Sequence, residues 1–141
     1  MTKTIMKRLP AVAAWNRLVR IYQRIDHLSE HHFKAMGLNT AWFDVLARVG
    51  AHEGLTQNEL AESLLVTKGN ISQLVTKLVA EGLLERRADG RQQRLHLSPR
   101  GRSIADEAVP GQEALLAQSL RALSSEEQTE LLRLLRKWEK A

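Results

Sequence analysis

A chain of 141 residues with 43% hydrophobic residues can bury a real core and is too apolar to be disordered by composition; its length fits one domain, or one domain with an oligomerisation element. The formal charge of +5 and the pI near 10.0 favour polyanionic partners, although where the charge sits matters more than its sum. The absence of cysteine excludes disulfides, thiolate catalysis and Cys-type zinc sites together.

Lys3, Lys7 and Arg8 followed by LPAVAAW imitate a signal peptide, but the apolar run is short, holds Pro10 and is stopped by Asn16 and Arg17. No stretch approaches the roughly 18 apolar residues of a membrane span. A cytoplasmic protein with no membrane partner is expected. From Ala11 to Met36, Val12, Trp15, Leu18, Val19, Tyr22, Ile25 and Leu28 recur at helical spacing, and Gly37 supplies a left-handed stop. A helix this long exceeds what one small core needs, so part of it is expected to pack on another subunit. Asn39 or Thr40 then caps a second helix whose buried side carries Phe43, Leu46, Ala47 and Val49.

Residues 55–97 hold the densest pattern. Thr56 and Glu59 fit a capping box for a short helix with Leu60, Ala61 and Leu64 inside. Thr67 is placed to cap the next helix, and Gly82 to end it with Leu83 as the accompanying apolar contact. In that helix Ile71, Leu74, Val75, Leu78 and Val79 form one apolar stripe, which leaves Lys68, Asn70, Ser72, Gln73, Thr76 and Lys77 off it. LLERR and QRLHL read as strands, with Leu95 and Leu97 on one side, Arg94 and His96 on the other, and Asp89-Gly90 as the hairpin turn. Short donors and acceptors with cations beside them are the side chains that read base edges and hold phosphates. Between Leu64 and His96, Lys68, Lys77, Arg86, Arg87, Arg91 and Arg94 stand against Glu81, Glu85 and Asp89, a surplus of +3 (6 − 3). A solvated hairpin on a protein-interaction domain is the plainer alternative.

Ser98-Pro99 is a helix start, and Pro110-Gly111 is expected to kink or break that helix midway. The last helix opens at Ser124 or Ser125, with Glu127 or Gln128 completing a capping box. Its Leu131, Leu132, Leu134, Leu135 and Trp138 make an apolar surface too wide for a lone surface helix. A homodimer built from the two chain ends is the economical explanation.

ELAESLLVTKGNISQLVTKLVAEGLLERRADGRQQRLHLSPRG, above all VTKGNISQLVTKL, EGLLER and LHLSPRG, resembles the MarR family of bacterial winged-helix regulators, and the resemblance extends over nearly the whole chain. It implies a mainly α fold: a winged helix-turn-helix with a small β-hairpin wing over residues 38–98, flanked by dimerisation helices at 8–37 and 99–141, in one domain over 1–141. By the same resemblance, the helix matching Thr67–Glu81 enters the major groove of double-stranded DNA. Asp89-Gly90-Arg91 matches the family's wing element, whose Arg reaches the minor groove while the Asp helps orient it. The wing is shorter than is common in the family and has Gly90 where an Arg is frequent, a departure that bears on how deep Arg91 reaches.

Asn70, Gln73 and Thr76 are the candidates for base contacts. Lys68, Ser72, Lys77, Arg86, Arg87 and Arg94 are the candidates for holding the backbone. A symmetric dimer calls for a pseudo-palindromic operator with half-sites about 10 bp apart. The resemblance also implies a small aromatic or phenolic acid as effector, seated between dimerisation helices and reader. It would lower DNA affinity by favouring an arrangement with misplaced recognition helices. Repression is the expected mode. Trp15, Tyr22, His31, Trp42 and Phe43 are candidates for lining such a pocket, set against the plainer reading that the tryptophans fill core or interface.

His27 and His31 stand four apart on one helix with Asp26, Glu30 and His32 near, spacing that allows two imidazoles on one zinc. A metal-responsive regulator is therefore the alternative, and a polar helix face the plainer reading; no metal or cofactor is assigned. A metal-dependent enzyme with Glu30 as base lacks a third ligand. There is no phosphate-cradling Gly loop, no Gly-x-Ser-x-Gly elbow and no cysteine nucleophile, so no enzyme is expected. His52 and His96 have no assignment.

Overall fold

A computed structural model describes residues 9–64 and 68–141, without the side chain of Lys68. Among these residues, six helices and one hairpin follow in the order α1 (Pro10–Ala35), α2 (Thr40–Ala51), α3 (Gln57–Leu64), α4 (Lys68–Ala80), β1 (Leu84–Asp89), β2 (Gln92–Leu97), α5 (Pro99–Ser119) and α6 (Ser125–Glu139). The mainly α architecture with a two-stranded antiparallel hairpin is as expected. None of the described helices is long and apolar enough to cross a membrane.

The core gathers around α2 and α4. Val45, Leu46 and Val49 from α2 meet Leu60 and Ala61 of α3, Ile71, Val75 and Leu78 of α4, and Leu95 and Leu97 of β2. Each such side chain contributes about 1.5–3 kcal/mol by leaving water. Phe33, near the end of α1, stacks on Phe43 with ring centroids 4.2 Å apart and ties that helix to the core. The rest of α1 behaves differently. Only Ser29 and Phe33 are buried in it, and Trp15 and Tyr22 are exposed. The expected apolar stripe exists, but one chain covers only its C-terminal end.

Short-range chemistry sets the element boundaries. The Asn39 carboxamide accepts from the Trp42 amide at 2.8 Å, so Asn39 rather than Thr40 caps α2. Thr56 and Glu59 exchange both bonds of a capping box, at 3.1 and 3.2 Å, and Ser124 with Glu127 does the same for α6. Past α4, Gly82 turns to φ +76° while the Leu83 amide donates back to the Leu78 carbonyl at 3.0 Å and its side chain enters the core. The expected cap Thr67 lies outside the described residues.

Two expectations need correction. Asp89 pairs with Gln92 across the hairpin, so the tip is Gly90-Arg91 and not Asp89-Gly90. The ladder keeps Asp89 because its carboxylate is held by Arg94 at 2.7 Å, while Gly90, at φ +61°, takes the turn. Nor does Pro110-Gly111 break α5, which runs unbroken to Ser119. Pro110 and Asp106, whose carbonyl loses its amide partner, both face solvent, where water replaces the missing bond. Gly111 lies against His32, whose Nε2 meets the Ala108 carbonyl at 3.2 Å. The pair is thus a place of close approach between α1 and α5.

Candidate nucleic-acid interface

The outer face of α4 is what remains after Ile71, Val75 and Leu78 turn inward. Asn70, Gln73, Thr76 and Lys77 are exposed and Ser72 is half-buried. They form two rows. Asn70, Gln73 and Lys77 run along the side facing α2, where with Trp42 and Asn39 they line a shallow groove of about 340 Å³. The Lys77 ammonium stands 6.0 Å from the Trp42 ring centre, at the outer limit of a cation–π contact. Ser72 and Thr76 run along the other side, toward the hairpin. There the Arg86 guanidinium of β1 donates to the Thr76 hydroxyl at 3.0 Å. The base-contact candidates Asn70, Gln73 and Thr76 therefore share one surface, and Lys77 and Arg86 border it. For Lys68 only the backbone, in the first turn of α4, is described.

The hairpin cations have different employments. Arg87 pairs with Glu85 beside it at 3.2 Å, an exposed pair worth little. Arg94 donates through Nε to Asp89 and through Nη1 to the Gly54 carbonyl at 2.9 Å. Its bond to Asp89 raises a pKa that is already high, so Arg94 is a fixed cation bracing the hairpin against the chain before α3. Gly54 and Leu55 exchange backbone bonds with Leu95 at 2.8 and 2.9 Å, which adds a third short strand segment to that brace. Asp89 was expected to orient Arg91; its carboxylate is taken by Arg94 instead. Arg91, at the tip, is exposed and makes no hydrogen bond or ion pair among the described residues.

One cluster carried no sequence signal. Glu53, after α2, accepts from the Leu97 amide at 3.3 Å, meets His96 Nδ1 at 3.0 Å and bonds the Arg102 guanidinium of α5. This clasp joins the end of α2, the hairpin base and the first turns of α5. Only its separations of 43 to 49 residues kept it from view. At the end of α4, Arg100 donates to the Glu81 carbonyl at 3.0 Å.

Among the described residues the five effector candidates have different neighbours. Trp15 packs edge-on against Trp138 with centroids 6.3 Å apart, Tyr22 projects from α1, Trp42 lies under Lys77 and Phe43 on Phe33. His31 meets His27 edge to face, with centroids 5.0 Å apart. His32 turns away from both toward α5, and among the described residues no group of three or more His, Cys, Asp or Glu is placed to hold a metal ion. A separate apolar groove of about 350 Å³, lined by Leu46, Gly50, Leu97, Ala105 and Val109 with Arg102 and Asp106 at its edge, contains none of the five.

A sequence profile of the MarR family matches residues 36–95, from the end of α1 through β2. An HTH-type transcriptional regulator of Bacillus cereus, itself uncharacterised, is 36% identical over 118 residues, covering 84% of this chain and 80% of that protein. The fold is similar to that of AbsC, a MarR-family regulator from Streptomyces coelicolor, with a TM-score of 0.83 over 91% of this chain and 90% of the other at 21% identity. It is also similar to a mutant of MarR from E. coli complexed with operator DNA, with a TM-score of 0.77 over 90% and 94% of the two chains at 25% identity. With that identity across most of its length and a profile match over α2, α3, α4 and most of the hairpin, the chain belongs to the MarR family of transcriptional regulators.

Proposed function

We propose that the protein is a homodimeric, sequence-specific regulator that binds double-stranded DNA, laying α4 in the major groove and Arg91 in the minor groove. One observation carries this reading. The exposed side of α4 is a continuous polar and cationic surface, and the hairpin beside it ends in a cation with no hydrogen-bond or ion-pair partner among the described residues. An unpaired guanidinium at a loop tip gains little in a free protein and much against a phosphate or a narrow groove. A structural relative solved in complex with operator DNA supports DNA as the partner. In this reading Asn70, Gln73 and Thr76 contact bases, while Lys68, Ser72, Lys77, Arg86, Arg87 and Arg94 hold the backbone.

The dimer follows from the apolar face left bare on α1 and α6, and the symmetric operator follows from the dimer. The role is binding rather than catalysis, with repression as the mode and the cytoplasm, where the chromosome is, as the compartment. A small aromatic acid is the effector class. Trp15, Tyr22 and His31 on the open face of α1 would form its pocket with Trp42 and Phe43 once a partner covers that face. Selection from random duplex DNA tests the core of the proposal. The purified protein should enrich a pseudo-palindrome with half-sites about 10 bp apart, with affinity falling steeply as salt rises. Equal retention of all sequences, or none, would reject it.

A further inference from the structure

Arg86, grouped by sequence with the backbone-holding cations, spends one of its donors on Thr76: Nη2 bonds the Thr76 hydroxyl at 3.0 Å. What that bond does to Thr76 is specific. A threonine hydroxyl offers one proton and two lone pairs, and guanidinium donates without ever accepting. With one lone pair of Thr76 held by a cation, a second donor approaching that oxygen meets the positive N–H edge of Arg86. The hydroxyl proton, by contrast, is unused. Ser63 and Thr129 turn their hydroxyls back onto carbonyls of their own helices, at 2.9 and 3.0 Å, as hydroxyls in helices commonly do. Thr76 makes no such bond among the described residues and lies exposed on the outer face of α4.

We infer that Arg86 is a positioning residue that fixes Thr76 as a hydrogen-bond donor, so that Thr76 accepts only base edges presenting an acceptor in the major groove. Guanine offers N7 and O6, adenine N7 and thymine O4; cytosine offers only its amino donor there. Where Thr76 meets the base of the nearer strand, the pair therefore selects against cytosine, whose guanine partner carries its acceptors on the opposite strand. This inference rests on the DNA-binding reading and adds to it the rule for one base position. Arg86 then shapes base choice through Thr76, whatever its remaining donors hold.

The test compares base preferences of the full-length wild type, Arg86→Met, Thr76→Val and the double variant, by selection from the same random duplex pool at one salt concentration. The wild type should disfavour cytosine at one position of each half-site on the order of tenfold. Both single variants and the double variant should lose that preference to the same extent and keep the others. Arg86→Lys, which retains a donor, should restore part of it. A uniform loss of affinity in Arg86→Met with the cytosine preference intact would overturn the inference, as would a Thr76→Val profile identical to wild type. The Thr76→Val arm stands independently of any folding defect in Arg86→Met. If the wild type itself selects no sequence, it is the DNA-binding reading that fails, a separate result.

Discussion

The His32 imidazole lies across Gly111, so close that a Cβ built on the glycine would come within 2.5 Å of the ring. The contact joins α1 to α5 and is completed by the bond from His32 to the Ala108 carbonyl and by Gln112 donating to the buried Ser29 hydroxyl at 2.9 Å. Gly111→Ala sets two effects against each other. Alanine improves helix propensity by about 1 kcal/mol, whereas overpacking a fitted contact costs about 1–3 kcal/mol. The ring is held by its own hydrogen bond and cannot move freely, so overpacking wins. Urea unfolding should show a net loss of stability; a gain would mean that His32 yields without cost.

Gly69 is the opposite case. It is exposed on the first turn of α4, and no described atom lies within 4 Å of where its Cβ would be. Among the described residues nothing sterically requires glycine there. Gly69→Ala should leave stability unchanged or raise it by up to about 1 kcal/mol. If α4 enters the major groove, the added methyl stands between helix and DNA, and affinity should fall while stability does not. Unchanged binding in a fluorescence-anisotropy titration would place the DNA farther from the start of α4.

How much of this was legible in the sequence depended on distance along the chain. The caps at Asn39, Thr56, Ser98 and Ser124 were readable because donor and acceptor lie three residues apart. The α4 stripe was readable because burial follows helical period. The partner of Asp89 was misjudged because a strand places a side chain beside the opposite strand, where Arg94 competes with the nearer Arg91. The continuity of α5 through Pro110 depended on which side of the helix faces water, a fact settled by α1 and α2 packing elsewhere on it. The clasp of Glu53 with His96 and Arg102 needed three elements in place before any of its bonds existed.

Arg91 and Arg94 are both hairpin arginines, yet their removal should be distinguishable. Arg91 holds nothing among the described residues, so Arg91→Ala should leave stability within about 0.5 kcal/mol and weaken DNA binding by about 1–3 kcal/mol. Arg94→Ala removes the bonds to Asp89 and to the Gly54 carbonyl. An exposed pair of this kind contributes little, so a small loss of stability should accompany the loss of binding. Gel shifts together with thermal unfolding separate the two. Intact binding by Arg91→Ala would remove Arg91 from the interface.

The Glu59 carboxylate is held below its usual pKa of 4.5 first by the Thr56 amide and then by the Thr56 hydroxyl bond. A carboxyl whose folded pKa is depressed binds fewer protons folded than unfolded. Its contribution is therefore complete above about pH 4.5 and is lost as the pH falls through the lowered value. Glu59→Gln keeps an acceptor for the Thr56 amide but does not titrate. Unfolding midpoints followed from about pH 6 to pH 3 should fall less steeply for the variant than for the wild type. Parallel curves would show that the capping box at α3 does not contribute to acid sensitivity.

The most exposed apolar surface is shared by the two chain ends. Trp15 and Trp138 meet edge to face, and around them Leu132, Leu134 and Leu135 remain 37–47% exposed; α6 buries no residue at all within the chain. Such a face is stable in water only when something covers it, and a second copy presents the matching surface. Leu135→Arg places a charge in the middle of it without touching the core of one subunit. The variant should keep its helical circular dichroism and sediment as a monomer. Because a palindromic site holds its two readers through their linkage, affinity for it should fall about 100-fold or more. Affinity for an isolated half-site should hardly change. A variant that remains dimeric with undiminished operator affinity would move the interface away from α6 and leave its leucines to another partner.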